Sequence, residues 1–220
     1  GQTQERVDSL HRVIEVGTAT LEESIIERCY MQLGQLYETA EDKGGLARPA
    51  DAIDAFNKAL DLNPRNFGAM DALERLHAEA SDWVEQVQVM ERRVDALDDG
   101  KDKIPVLLAI ADTWANKQSD PDRGTSAYQR ILSIDPKHVV AFEELDKLHR
   151  AAERWDELVE MLLTRVENTE GTAARVKLLR MAILPDLVAG DLSEAERDRR
   201  WKQLADLYLA QQLHSYPIGY

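Results

Sequence analysis

The chain repeats itself. Leu62-Asn63-Pro64-Arg65 returns as Ile134-Asp135-Pro136-Lys137, a shift of 72 residues, and the same shift carries Trp83 onto Trp155 and His77 onto His149. Over 69–94 against 141–166 it also matches Ala69 with Ala141, Leu73 with Leu145, Leu76 with Leu148, Ala80 with Ala152, Val87 with Val159 and Val94 with Val166. Self-similarity of this kind restricts a chain to architectures in which one supersecondary unit stacks on its own copy. Half the shift is about 36 residues, the length of one helix–turn–helix unit, so each period should hold two units and four helices.

The residues between the punctuating prolines and glycines are mostly Ala, Leu, Glu, Arg and Gln, with little β-branched alternation, and read as nearly all helix. Apolar spacing and stop signals predict helices over 3–16, 21–42, 50–62, 66–80, 82–97, 102–117, 122–133, 138–151, 154–168, 172–188 and 193–213. Pro49 and Pro121 sit near a first helical turn, where a missing N–H costs nothing. Pro64 and Pro136 follow helix ends, and the restricted residue before each helps to stop the helix. Ser193 with Glu196 reads as a capping box opening the last helix, and Pro185 as a kink or end in the one before.

The clearest unit is Tyr30-Met31-Gln32-Leu33-Gly34-Gln35-Leu36-Tyr37, followed by Ala52-Ile53-Asp54-Ala55-Phe56, Ala59 and Pro64. This resembles the tetratricopeptide repeat: an aromatic, Leu-Gly and Tyr in the first helix, Ala-x-x-x-Phe in the second, then a closing Pro. Small Gly34 and Ala52 would let two helices approach closely while Tyr30, Leu33, Tyr37 and Phe56 fill the surrounding space. A looser copy has Leu107, Ile110, Ala111, Trp114, Gly124, Tyr128 and Pro136. The second and fourth units depart from the pattern, with Glu74 and Asp146 in the first helix and Gln86 and Leu158 in the second where small residues are expected. Trp83 and Trp155 stand at their turns, so a slightly wider helix pair is expected there.

The resemblance implies an all-α fold, a right-handed α-solenoid of about four to five repeats forming a single domain over 1–220. Its parts would be an N-terminal helix (3–23), repeats at 24–64, 65–98, 102–136 and 137–169, a divergent repeat or capping pair at 172–213, and a tail at 214–220. Such arrays line their inner face with the first helix of each unit, and family members commonly grip an extended peptide or a partner's helix there. Carried over by position, the groove residues are Arg28, Met31, Gln35, Glu38 and Thr39; Asp71, Arg75 and Glu79; Leu108, Asp112 and Asn116; and Glu143, Lys147 and Arg150. The Lys, Arg and Asn cluster with which chaperone adaptors clamp a C-terminal carboxylate is missing. Acidic groove positions outnumber basic ones, which favours a basic or amphipathic segment as partner.

Composition narrows the remaining classes. The formal net charge is −14, from 27 basic and 41 acidic side chains, and would repel a phosphate backbone, so neither nucleic acid nor an anionic membrane surface is an expected partner. No run reaches the roughly 20 apolar residues that span a bilayer. Cys29 is the one cysteine, which excludes an intramolecular disulfide and fits a reducing compartment; a cytoplasmic location is the expectation. The start at Gly1 suggests a piece of a longer protein.

No enzymatic constellation is expected: Gly44-Gly45 lacks the Lys-Ser or Lys-Thr of a phosphate loop, and no HExxH or Gly-x-Ser-x-Gly occurs. His11, His77, His138, His149 and His214 form no ligand spacing, and the paired Asp98-Asp99 beside Gly100 reads as a solvated turn. Catalytic residues, cofactor and metal are therefore all expected to be absent. The reading is an interaction module of a bacterial-looking scaffold or adaptor. Two alternatives stand beside it: a spacer or dimerisation domain, self-associating through the apolar C-terminal helix with Leu207, Tyr208, Leu209 and Leu213, or the recruiting domain of an enzyme whose catalytic part lies elsewhere.

Overall fold

The fold begins from one tight contact. An added Cβ on Gly34 would lie 2.6 Å from the Phe56 ring, and Phe56 is itself 1% exposed. The helices bearing these residues, α2 (Glu23–Glu38) and α3 (Pro49–Leu62), meet along more of their length than any other pair of described helices. The computed structural model describes residues 2–17, 22–171, 173–178 and the single positions 181, 199, 202 and 206. Every helix and turn named below lies within them, and no strand occurs among them. The described residues are all-α and built of consecutive packed helices.

Contacts gather the chain into two compact units, 1–119 and 120–220. The first holds α1 (Gln2–Gly17), α2, α3, α4 (Phe67–Glu79), α5 (Trp83–Ala96) and α6 (Gly100–Asp112), each packed on the next. Its core joins Val7, Ile26, Leu33, Phe56, Met70, Leu73 and Leu76. Full burial of each such side chain contributes roughly 1.5–3 kcal/mol. Tyr37 fastens α1 to this core, its hydroxyl 3.0 Å from His11 Nε2 and its ring under the Arg48 guanidinium at 5.1 Å. The second unit holds α7 (Pro121–Ile134), α8 (Val139–Ala151) and α9 (Trp155–Glu167), with Leu158 and Leu162 packed among Phe142, Trp155 and Met161. The expected third repeat is thus divided, its first helix in one unit and its second in the other.

Turn geometry repeats with the sequence. Among the described residues four non-glycine residues have positive φ, and they fall in two pairs at the 72-residue shift: Ala47 (49°) with Ser119 (54°), and Ser81 (58°) with Glu153 (54°). The Asn66 side chain caps α4 by accepting from the Ala69 amide, and His138 Nδ1 accepts from the Ala141 amide in the same place on α8. The Arg65–Asp98 ion pair (2.5 Å) recurs as Lys137–Glu170 (3.7 Å).

The structure corrects several expectations. The helix expected over 21–42 ends at Glu38, because Thr39 and Ala40 are extended (ψ 137° and 150°) and Glu41–Lys43 forms a separate 3₁₀ turn. The chain there closes so tightly that a Cβ on Gly45 would lie 1.9 Å from the Thr39 carbonyl oxygen. The helix expected over 102–117 starts at Gly100 and finishes as a π turn, Thr113–Lys117, with the Gln118 amide donating to the Thr113 carbonyl. Asp98 and Asp99 are more than a solvated turn: Asp98 pairs with Arg65 and Asp99 caps α6 through the Lys101 amide. Pro185, the Ser193–Glu196 box, the helix expected over 193–213 apart from positions 199, 202 and 206, its proposed self-association surface, and the tail at 214–220 lie outside the described residues.

Candidate functional site

The unit pattern places every groove candidate on a first helix: α2 and the residue after it, α4, α6 with its π turn, and α8. None of the fourteen is buried; Met31, Glu38, Thr39 and Leu108 are half-buried and the other ten exposed. Among the described residues one contact brings candidates of different helices together, and a second sets a candidate against the neighbouring first helix. Arg75 of α4 donates to Glu38 of α2, and the Met31 methyl of α2 lies 3.6 Å from the Cβ position of Gly68 in α4. Met31, Glu38 and Arg75 thus stand along the side on which α2 and α4 adjoin. Below it, Glu27 accepts from the side-chain amides of Asn63 (2.8 Å) and Asn66 (2.6 Å), fixing the turn that aims α4.

Internal partners change the electrostatics expected from counting. Asp71 is held by Arg93 of α5 (2.5 Å), which also grips Glu74 (2.7 Å) and lies over the Phe67 ring. Asp112 accepts from Asn116. On α8, Lys147 pairs with Glu144 and Arg150 with Asp146 at the spacing of adjacent helical turns. Hydrogen bonding to Glu144 raises the Lys147 pKa, and the Asp146 bond does the same for Arg150. Glu79 and Glu143 keep no ion pair among the described residues.

In the second unit Glu143 and Lys147 line a cavity of about 490 Å³ between α8 and residues 174–181, with Val139, Phe142, Leu178 and Met181 as apolar wall. Val139 is 56% exposed, a large apolar side chain left in water on the face that carries Glu143.

A second kind of cavity was not expected. A crevice of about 520 Å³ opens between α3 and α5, and another of about 480 Å³ between α7 and α9. They are copies: Leu60, Asp61, Pro64, Met70 and Arg92 line the first, and their shifted counterparts Leu132, Ser133, Pro136, Phe142 and Thr164 line the second. In the sequence, only the differences between the two repeat copies mark these crevices.

The buried histidines also come as a pair. His77 and His149 each accept, through the backbone carbonyl, the amide of the residue opening the next helix turn, Asp82 and Arg154. Asp82 faces His77 Nδ1 at 3.8 Å, whereas Arg154 turns away to Asp122 and leaves His149 Nδ1 without a hydrogen-bond partner. Burial pushes the His149 pKa down. No cluster of His, Cys, Asp and Glu able to hold a metal occurs among the described residues, and no helix there is long and apolar enough to cross a membrane.

No family model and no curated protein matches the chain. Among solved structures, one of MamA is 13% identical and covers 88% of this chain and 98% of its own, with a TM-score of 0.41. YrrB, described as a TPR protein with an unusual peptide-binding site, is 12% identical over 91% of this chain and 93% of its own, at 0.39. A tetratricopeptide repeat protein from Parabacteroides merdae is 12% identical over 96% and 88%, at 0.39. Likeness at this level does not bear on function, which rests on the residues of the chain itself.

Proposed function

We propose that the chain is a protein-interaction module that holds an extended or helical segment of a partner along the exposed faces of its first helices. The observation carrying this reading is the side shared by α2 and α4, where Arg75 reaches Glu38 and Met31 reaches Gly68. A built face of apolar and charged groups, none of them buried, is what a peptide-binding surface needs. In the second unit, taken by itself, the cavity beside Glu143 and Lys147 offers a place for an apolar side chain.

The partner segment is amphipathic and basic. Glu38 and Asp71 are paired with cations within the chain, so the acids left to attract it are Glu79, Asp112 and Glu143, while Met31, Leu108 and Val139 offer apolar contact. The same pairs dictate the test. Peptides selected from a displayed random library on the wild-type chain should be re-measured against Glu79→Lys/Glu143→Lys, a change that breaks no internal ion pair and should keep the helical circular dichroism. Basic peptides weakened about tenfold or more support the reading. Selected peptides that bind both proteins equally would sink it, and the spacer role would take its place.

A further inference from the structure

We propose that the crevice between α7 and α9 is a separate docking pocket, and that its occupant is an arginine side chain carried by a partner peptide. The two crevices differ in which side chains reach them. On α5, Gln88 donates to Glu85 at 2.9 Å, and neither of the two lines the first crevice. At the shifted positions on α9 stand Glu157 and Glu160, both exposed, both lining the crevice, and neither in an ion pair among the described residues. Like charges one turn apart on a helix repel, and a bound cation removes the repulsion. A second substitution points the same way: Arg92 in the first crevice is Thr164 in the second, which takes a competing cation out of the lining.

The remaining wall suits a long side chain. Leu132, Phe142 and Met161 make an apolar floor on which a three-carbon stem can lie while its charged head stays at the acidic rim. His149, 2% exposed, also lines this crevice, and its Nδ1 is the buried imidazole nitrogen without a partner. A guanidinium presents five N–H donors in a rigid fork, enough for two carboxylates and a ring nitrogen. Arg165, the one cation in the lining, is already committed: it donates to the Pro136 carbonyl at 2.7 Å and lies over the Phe142 ring at 5.0 Å.

The test is a titration of the full chain, its methionine methyls labelled with carbon-13, with a blocked pentapeptide holding arginine between two leucines. Its control replaces arginine by citrulline, which keeps the shape and loses the charge. The expected result is a saturable shift of the Met161 methyl, with Met70 of the first crevice unmoved and the citrulline peptide about tenfold weaker. Glu157→Gln/Glu160→Gln should weaken the arginine peptide by about the same factor. No saturable shift at Met161, equal binding of the two peptides, or full affinity in the double Gln variant would each overturn the proposal. A shift confined to Met31 would do so too, because it would put the peptide on the first-helix face.

Discussion

Adding one methyl group to Gly34 sets two rules against each other. Alanine is the better helix former by about 1 kcal/mol, so propensity alone calls for a gain. The new Cβ, however, would sit 2.6 Å from a Phe56 ring that is 1% exposed and has nowhere to go. Overfilling a packed site costs about 1–3 kcal/mol, so Gly34→Ala should lower the stability read from a urea midpoint; a raised midpoint would mean that the ring swings aside. His149 gives a second residue-level expectation. Burial favours its neutral form, so the folded chain binds fewer protons than the unfolded one once pH falls below the ordinary histidine value of about 6.5. Stability should fall over that range and level off beneath the lowered folded-state pKa. Thermal midpoints measured from pH 7 to 5 should therefore drop more steeply for the wild type than for His149→Gln; parallel curves would show that His149 does not couple to folding.

α6 carries a handicap that none of its neighbours shares. Pro105 lies inside it, so the Lys101 carbonyl loses its helical partner, and the helix closes in a π turn that leaves Trp114 buried and Lys117 4.3 Å above the Trp83 ring. An interior proline costs up to about 3 kcal/mol relative to alanine. Pro105→Ala should raise the urea midpoint, and an unchanged midpoint would show that the surrounding packing already absorbs the proline. This helix also shows how far elements can be read in advance. The nine described helices follow from apolar spacing and from Pro49, Pro64, Pro121 and Pro136, because those cues act within one turn. The early end at Glu38 was hidden, since Glu41-Asp42-Lys43 suits a helix and is diverted only by the tight closure of Gly45 on Thr39. The four positive-φ turns were hidden too, because Ala, Ser and Glu carry no left-handed preference. The Arg65–Asp98 and Lys137–Glu170 bridges could have been found, as opposite charges at a fixed separation in both copies.

For the molecule as a whole, the excess of 41 acidic over 27 basic side chains works against compactness. Raising salt from about 0.01 M to 0.15 M shortens the screening length from about 30 Å to 8 Å, so repulsion between distant carboxylates fades first, while the short ion pairs lose less. The thermal midpoint should rise by a few degrees over that range; a fall would show that local pairs outweigh the net charge. The groove candidates emerged from the family resemblance because they sit at fixed places in a repeat. Their internal partners did not, since Arg93 meets Asp71 only through the packing of α5 on α4. The recurrence of left-handed turns at Ala47 and Ser119, and at Ser81 and Glu153, bears on how such a chain lengthens. Its joints are of two kinds and alternate, so like meets like only after a full period. An excision or duplication of 72 residues would splice each turn onto its own kind, whereas one of 36 would fuse two unlike turns. The heritable brick of this architecture is therefore the helix quartet, not the hairpin.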